Sequence, residues 1–288
     1  MIITIDGKIN RTSPLPFGEI IEDIKDSKYG VANALRDTIA KGLKPLTSPR
    51  VLDLRNDCPD SNDSMWTNWY TTASGVYNVG NQVIVVHGPN HPLTDHQRVR
   101  SAVEQGLVNY GAKLTEQETQ AFKERKVEGL RDYETFLRET QDQDLEEQFG
   151  AVADLSLFKG LPNDYMKLAK WVEDPRTIML SGGKRRAEAY AEMLNKKKVE
   201  KPYINLDVQK GQADRGRLVF VGDGNFYGLF GFDILYYCGR FVGVAAEPQG
   251  VTKNEAPLET RLERVGTDLI RLDGRLYMPV PVSLAPKQ

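Results

Sequence analysis

The last 85 or so residues constrain the fold of this chain most, because they consist largely of short β-strand patterns. Apolar, aromatic and β-branched residues form seven runs there, and turn residues lie between most of them. The pair Asp273-Gly274 between the last two runs is a strong signal for a two-residue hairpin. We therefore predict antiparallel β-structure in this region. The predicted strands are residues 203–208, 217–221, 226–237 with internal breaks, 241–245, 261–265, 268–272 and 275–282.

Helical periodicity dominates much of the preceding sequence. Apolar residues recur at three- and four-residue steps over residues 20–24 and 31–43, which predicts two short helices. Thr115 and Glu118 have the spacing of a capping box, and charged residues fill nearly half of residues 115–149. That segment predicts one long charged helix, kinked at Gly129 and packed on one side only. Helices combined with antiparallel strands make this an α+β chain.

The middle of the N-terminal half predicts further β-structure. Residues 65–77 are rich in aromatic and β-favouring side chains, and an apolar run at residues 82–86 follows the turn Gly80-Asn81. These two runs predict an extended hairpin, and residues 51–54 predict a short strand. We divide the chain into an N-terminal region, residues 1–112, and a second α+β domain, residues 113–288.

Composition restricts the class of protein. The chain is 40% hydrophobic and 27% charged, which is typical of a folded protein, and its net charge of -2 is low for a general nucleic-acid binder. Cys58 and Cys238 are far apart in sequence, which predicts neither a disulfide framework nor a thiolate zinc site. The N-terminus lacks a signal-peptide pattern, and the longest apolar stretch is too polar to span a membrane. These features predict a cytoplasmic protein.

All three histidines of the chain fall within ten residues, directly after a predicted strand. Together with Asp95, His87, His91 and His96 have the chemistry of a zinc or iron ligand set, and Asp53 is another candidate carboxylate. A metal-dependent hydrolase is therefore one candidate function. The alternative is a turn-rich loop without metal, because glycine and proline interrupt the segment and the spacings match no known ligand motif.

A basic segment gives a second candidate site. Lys184, Arg185 and Arg186 follow two glycines at the start of a predicted helix, where backbone amides and cations favour a phosphate group. With the basic run at residues 196–198, this segment predicts a nucleic-acid-binding protein as another alternative. The glycine and hydroxyl positions of a Walker loop are missing, and a solvated basic surface explains the same residues.

Other motifs carry less chemistry. Residues 222–225, Gly-Asp-Gly-Asn, favour a hairpin turn over a nucleotide loop, because the third glycine and the following helix are missing. The acidic series at positions 53, 57, 60 and 63 lacks the glycine and glutamate of an EF-hand. No G-x-S-x-G elbow is present, and neither cysteine has a histidine near it in sequence. We therefore expect no catalytic residues and no cofactor.

The order of several phrases resembles that of tailed-phage major capsid proteins. The predicted long helix is followed by WVEDPRT at residues 171–177, GFDILYY at residues 231–237 and MPVPV at residues 278–282. The resemblance covers Thr115 to Val282. It implies that the long helix is the spine of a peripheral domain, and that the aromatic hairpin is the extended loop of a capsid subunit.

This resemblance leads to the preferred expectation for function. It implies a structural protein that assembles with copies of itself into a symmetric shell and is part of a virion. A one-sided helix and an extended hairpin bury little surface within one subunit, and neighbouring subunits would cover them. Basic loops on the inner face would contact packaged DNA without sequence specificity.

Overall fold

A computed structural model describes most of the chain up to residue 245 and three short strands beyond it. The described residues are 2–5, 9–12, 18–23, 28–58, 64–145, 148–206, 213–224, 226–231, 235–236, 238–245, 263–264, 270–272 and 275–277. The chain divides into two compact units, Met1–Ala246 and Glu247–Gln288.

Helices and strands alternate along the described chain. The helices are α1 (Gly30–Ala40), α2 (Ser48–Asn56), α3 (Ser64–Thr67), α4 (His96–Gln105), α5 (Glu116–Lys123), α6 (Tyr133–Asp142), α7 (Leu168–Trp171), α8 (Pro175–Ser181) and α9 (Lys184–Lys196). The strands of the first unit are β1 (Ile2–Ile5), β2 (Ile9–Thr12), β3 (Gly18–Asp23), β4 (Leu43–Pro45), β5 (Tyr70–Val79), β6 (Gln82–His87), β7 (Ala112–Lys113), β8 (Leu130–Asp132), β9 (Phe149–Asp154), β10 (Asp164–Tyr165), β11 (Tyr203–Asn205), β12 (Arg215–Val221), β13 (Gly228–Phe230) and β14 (Gly239–Ala245). The second unit contains β15 (Glu263–Arg264), β16 (Ile270–Leu272) and β17 (Arg275–Tyr277).

Nine strands of the described residues form the main sheet of the first unit. Their order is β10-β11-β13-β12-β5-β6-β9-β8, and β7 pairs with the start of β12. Most pairs are antiparallel, whereas β11 with β13 and β8 with β9 are parallel. A smaller sheet has the order β3-β14-β4, so the last strand of the unit pairs with an early one. The second unit has an antiparallel sheet, β15-β16-β17.

The main sheet separates two hydrophobic cores. On β6, Val83 and Val85 belong to one core, and Ile84 and Val86 belong to the other, as expected because side chains alternate between the faces of a strand. We call them the first core and the second core. The first core includes Trp66, Phe136, Trp171, Met179 and Tyr190. The second core includes Leu35, Tyr77, Phe122 and Phe241.

The α+β class and the predicted C-terminal strands are confirmed. Strands β11 to β14 occupy four of the predicted runs, and β15 to β17 occupy the other three. The turn Asp273-Gly274 lies outside the described residues. The predicted hairpin is also confirmed as β5 and β6, but it is the centre of the main sheet and is almost completely buried, unlike an extended arm. The predicted boundary at residues 112 and 113 falls within the first unit, inside β7.

The prediction of a long helix over residues 115–149 is wrong. The capping box of Thr115 and Glu118 is present and starts α5, but this helix ends at Lys123. Arg125 and Gly129 both have positive φ angles, 57° and 78°, which end a right-handed helix. A Cβ atom at Gly129 would lie 2.2 Å from the Gln148 carbonyl oxygen, so this close approach requires glycine, and β8 begins at the next residue. The charged segment therefore forms two short helices with a strand between them.

Two shorter predictions are also wrong. Residues 51–54 belong to helix α2, because Pro49 suits the first turn of a helix and the apolar side chains form one buried face. Residues 20–24 were predicted to be helical, yet Ile20 and Ile21 lie in β3, where they pair with Val242 and Phe241. Pairing with a distant strand outweighs the local helical pattern there. In the described part of the chain, no helix is both long enough and apolar enough to cross a membrane.

Candidate ligand-binding surface

Five aromatic rings form a continuous row across one end of the main sheet. The ring of Trp69 lies 6.5 Å from that of Phe220, which stacks on Phe230 with 4.3 Å between the ring centroids. The row continues from Phe230 to Tyr203 at 5.2 Å and from Tyr203 to Tyr165 at 4.9 Å. We call this row the aromatic ladder. Its distances lie in the range of favourable aromatic pairs.

The strand register explains why these rings share one face. Phe220 is the register partner of Phe230, and Tyr165 is the register partner of Tyr203. The residues that alternate with them, such as Val221 on β12 and Ile204 on β11, belong to the first core. Because side chains alternate along a strand, the ladder lies on the face opposite to the first core. The ladder thus depends on register between strands that are distant in sequence.

The ladder is partly open to solvent. Tyr165 is 43% exposed, whereas Trp69, Phe220 and Tyr203 are half-buried and Phe230 is buried. At the other end of the ladder, the guanidinium carbon of Arg240 lies 5.3 Å from the Trp69 ring centroid. This geometry is a cation–π contact, which fixes the orientation of the indole ring. The cation of Arg240 therefore holds the Trp69 end of the ladder, and the Tyr165 end is the more exposed one.

Two polar side chains flank the phenyl pair of the ladder. Thr71 on β5 is the register partner of Phe220, and Asn205 on β11 is the register partner of Phe230. Among the described residues, neither Thr71 Oγ1 nor Asn205 Oδ1 has a hydrogen-bond partner, although both atoms are buried. An unsatisfied buried polar group costs about 1–3 kcal/mol. Two buried oxygen atoms next to the phenyl pair therefore have hydrogen-bonding capacity that the described residues do not use.

The loop between β12 and β13 adds an exposed ring to this end of the sheet. Phe226 is 59% exposed, and its backbone amide donates a 3.0 Å hydrogen bond to the carbonyl of Asp223. The amide of Gly222 donates to the carbonyl of Gly228 across the base of the loop. A Cβ atom at Gly222 would lie 1.8 Å from the Phe226 carbonyl oxygen, so this position needs glycine. The loop is therefore a tight turn, as residues 222–225 predict, although Asn225 lies outside the described residues.

Buried aromatic packing supports the loop from beneath. The ring of Tyr227 contacts the edge of Trp66 at 6.0 Å, and Trp66 stacks on Tyr190 at 5.8 Å. The guanidinium of Arg55 is buried and donates hydrogen bonds to the Tyr190 hydroxyl and to the Met65 carbonyl. Burial is the main reason that the pKa of Tyr190 is raised. The loop thus rests on a buried, hydrogen-bonded part of the first core.

The structure places the predicted metal-site residue His87 in the protein interior. Its Nε2 lies 2.8 Å from the Met179 carbonyl oxygen, which can only accept, so Nε2 carries the proton. Nδ1 therefore accepts the hydroxyl proton of Ser74 at 2.8 Å. Burial lowers the pKa of His87 from 6.5 to about 3. Both ring nitrogens are thus used within the fold, which leaves neither for a metal ion.

His91 and His96 lie in different environments. His91 is buried, with Nδ1 2.6 Å from the Tyr77 hydroxyl and Nε2 3.4 Å from the Ala73 carbonyl, and burial lowers its pKa to about 4. His96 starts α4, and Asp95 caps that helix. Within the described ranges, no three histidine, cysteine, aspartate or glutamate residues are placed to hold a metal ion. Asp95 and His96 lie 3.5 Å apart, but the four predicted ligands do not converge on one point.

The predicted anion site is the first turn of α9, and each of its cations contacts a carboxylate. Lys184 lies 2.9 Å from Glu173, and Arg185 lies 3.0 Å from Asp144. Arg186 is buried and lies 3.1 Å from Asp53, whose pKa is raised mainly by burial. These internal ion pairs neutralise the basic segment, which weakens the case for a phosphate or nucleic-acid contact. Asp60 and Asp63 of the acidic series lie outside the described residues.

Sequence patterns did not reveal the ladder, because its members come from five separate places in the chain. One signal was present: residues 222–238 contain six aromatic side chains and four glycines among seventeen residues, with no lysine, arginine or glutamate. That composition is unusual for a buried strand pair, and it is typical of a binding loop. The composition identifies residues 222–238 as a candidate binding region, but it does not predict how the rings of the ladder are arranged.

Comparisons with known proteins bear on the fold. No protein-family model and no curated protein matches the sequence. A solved structure does match, with a TM-score of 0.63 and 22% identity, over 80% of this chain and 99% of the other. That structure concerns the accommodation of massive sequence variation in Nanoarchaeota by the C-type lectin fold.

This match corrects the functional expectation drawn from the capsid resemblance. The phrase at residues 171–177 forms the end of α7 and the start of α8, and residues 278–282 lie outside the described residues. The predicted function of a capsid subunit is wrong, because the structural likeness is to a C-type lectin-fold protein. Self-association and a cytoplasmic location are not addressed by this match and stay predictions. At 22% identity the likeness concerns the fold alone, and that fold is the C-type lectin fold.

Proposed function

We propose that this chain is a recognition protein that binds a protein ligand through the aromatic ladder and the loop that carries Phe226. The observation that carries the proposal is the continuous, partly exposed row of rings on one end of the sheet. Aromatic residues dominate the energetics of protein interfaces, because each buries a large area at a low entropic cost. We call the ladder and Phe226 together the aromatic surface.

The composition of residues 222–238 supports a protein ligand. Antibody paratopes are rich in tyrosine, glycine and asparagine, and interface centres are depleted of lysine and glutamate. The segment contains three tyrosines, four glycines and one asparagine, and it has no lysine and no glutamate. The chain as a whole is slightly acidic, and the three cations at residues 184–186, the first part of the predicted nucleic-acid segment, are paired with carboxylates. These charges favour a protein over a nucleic acid as the ligand.

The structural comparison supports the same proposal. The matching structure is described as a fold that accommodates massive sequence variation. Such tolerance requires that exposed contact residues can change without loss of the fold. In this chain the exposed Phe226 is presented by a loop whose stability comes from Gly222, Tyr227 and the buried Trp66. The side chain that contacts the ligand is thus different from the residues that stabilise the loop.

Removal of the exposed ring tests the proposal. We expect the Phe226→Ala variant to bind at least about tenfold more weakly to peptides selected on the wild-type chain, because a central aromatic contact is worth about 2 kcal/mol or more. The probe is a displayed library of random 16-residue peptides, followed by measurement of Kd for the enriched peptides. The melting temperature should not change, since the ring is exposed.

A matched control is Ile39→Ala, which removes another exposed apolar side chain at the end of α1. This variant should keep wild-type affinity. Equal binding by Phe226→Ala and the wild type, or a library that yields no enriched peptide, would contradict the proposed function.

A further inference from the structure

A two-residue turn between α4 and β7 holds a tyrosine in a strained backbone conformation. The amide and carbonyl groups of Val108 and Gly111 exchange hydrogen bonds of 2.8 and 3.0 Å. The two residues between them, Asn109 and Tyr110, have φ angles of 46° and 64°. This is the geometry of a type I′ turn, in which asparagine followed by glycine is strongly preferred. Asn109 follows that preference, and Tyr110 does not.

The side chain of Tyr110 contributes little to the stability of the fold, because more than half of it is exposed. It is 55% exposed, and its ring contacts that of Tyr236 with 6.1 Å between the centroids and an angle of 39° between the planes. Tyr236 is itself 39% exposed. A bulky residue at positive φ is an outlier that persists when the surrounding structure holds it, and such outliers cluster at ligand sites. Here the buried Arg217 donates to the Asn109 carbonyl and holds the turn.

The two tyrosines line a cleft of about 500 Å³. Val103 and Leu107 contribute apolar side chains to its lining, and Lys28 contributes a cation. Lys28 is exposed, and its ammonium lies 5.6 Å from the Tyr29 ring centroid. No carboxylate of the described side chains forms an ion pair with Lys28. The cleft therefore combines two open aromatic faces with a cation that has no carboxylate partner among the side chains that the structure describes.

We propose that this cleft is a second contact site for the protein ligand and that it takes an acidic segment of that ligand. Apolar atoms of the segment lie against the rings of Tyr110 and Tyr236, and a carboxylate lies next to the ammonium of Lys28. The inference rests on the proposed function, because Tyr236 belongs to the same aromatic segment, residues 222–238. Beyond the proposed function, the inference specifies that the contacting segment of the ligand is acidic. It also specifies a second contact site that the Asn109-Tyr110 turn builds.

Two substitutions test the site with the same displayed peptide library. Tyr110→Gly removes the ring and restores the preferred Asn-Gly turn. We expect it to raise the melting temperature by about 2 °C while it weakens binding of the selected peptides at least about tenfold. Lys28→Glu reverses the charge at an exposed position. We expect about three- to tenfold weaker binding to peptides that carry aspartate or glutamate, and selection on this variant should enrich lysine and arginine instead.

The possible results separate this inference from the proposed function. Peptides that lose affinity with Phe226→Ala but bind Tyr110→Gly and Lys28→Glu as tightly as the wild type would overturn the second site and leave the proposed function intact. Enriched peptides without an excess of acidic residues would overturn the predicted charge. A library that yields no binder to the wild type would overturn both.

Discussion

Acidification from pH 7 to pH 4.5 is expected to lower the free energy of unfolding by about 5 kcal/mol, because two histidines are buried in their neutral form. Burial is the main cause that lowers the pKa of His87 to about 3 and that of His91 to about 4. The unfolded chain binds protons at the ordinary pKa of 6.5, so between pH 6.5 and 4.5 it holds more protons than the folded chain. Stability therefore falls as the pH falls, by about 1.4 kcal/mol per pH unit for each ring.

Urea unfolding at pH 7, 6, 5 and 4.5 measures this effect. The expected slope is about 2.7 kcal/mol per pH unit below pH 6, since two protons are taken up on unfolding. The control is His96→Gln, which keeps both buried rings and should keep the slope. A free energy of unfolding that stays constant from pH 7 to pH 5 would show that the two rings are not buried as neutral groups.

The Asp174→Asn substitution is expected to lower the free energy of unfolding by about 3–5 kcal/mol. Asp174 and Arg176 form a buried bidentate pair with contacts of 2.8 and 2.6 Å. The same guanidinium donates to the Pro162 carbonyl and to Asn163, whose side chain accepts from the Leu206 amide. Removal of the carboxylate leaves a buried cation without its counter-charge, which is strongly destabilising.

Equilibrium unfolding in urea at pH 7 measures this loss, with Glu173→Gln as a neighbouring control. Glu173 is exposed and pairs with Lys184, and exposed ion pairs contribute about 0–1 kcal/mol. A loss below about 1 kcal/mol for Asp174→Asn would mean that water or another group compensates Arg176. Because the pair connects the start of α8 to the loop before β10, the variant is also expected to weaken packing at the ladder end that carries Tyr165.

Local sequence signals predicted those parts of the fold that depend on neighbouring residues. The hairpin of β5 and β6 follows from two apolar runs around Gly80, and the capping box of Thr115 starts α5. The prediction of one long charged helix was wrong because Arg125 takes a positive φ directly after α5, and because Gly129 closely approaches Gln148, nineteen residues away. Similarly, Ile20 lies in a strand because its partner is Val242. Signals from distant partners are not visible in a local pattern.

The candidate sites show the same limit in chemical terms. The histidine cluster suggested a metal site, yet the acceptor for His87 is a carbonyl of Met179, ninety-two residues further along the chain. The basic segment suggested a phosphate site, yet Arg186 pairs with Asp53 from α2. In both cases the sequence showed residues of the right chemical type. It did not show that their hydrogen-bond and ion-pair partners come from distant parts of the same chain. The ladder required strand register, which only the structure provides.

The central claim is that the aromatic surface contacts the ligand, and amide hydrogen exchange tests it most directly. The chain is compared alone and with an excess of a peptide selected from the displayed library. We expect slower exchange on peptide binding in the loop at residues 222–227 and in the adjacent strands β11 and β13, because bound ligand limits local opening. Slower exchange confined to other segments, with residues 222–231 unchanged, would contradict the account.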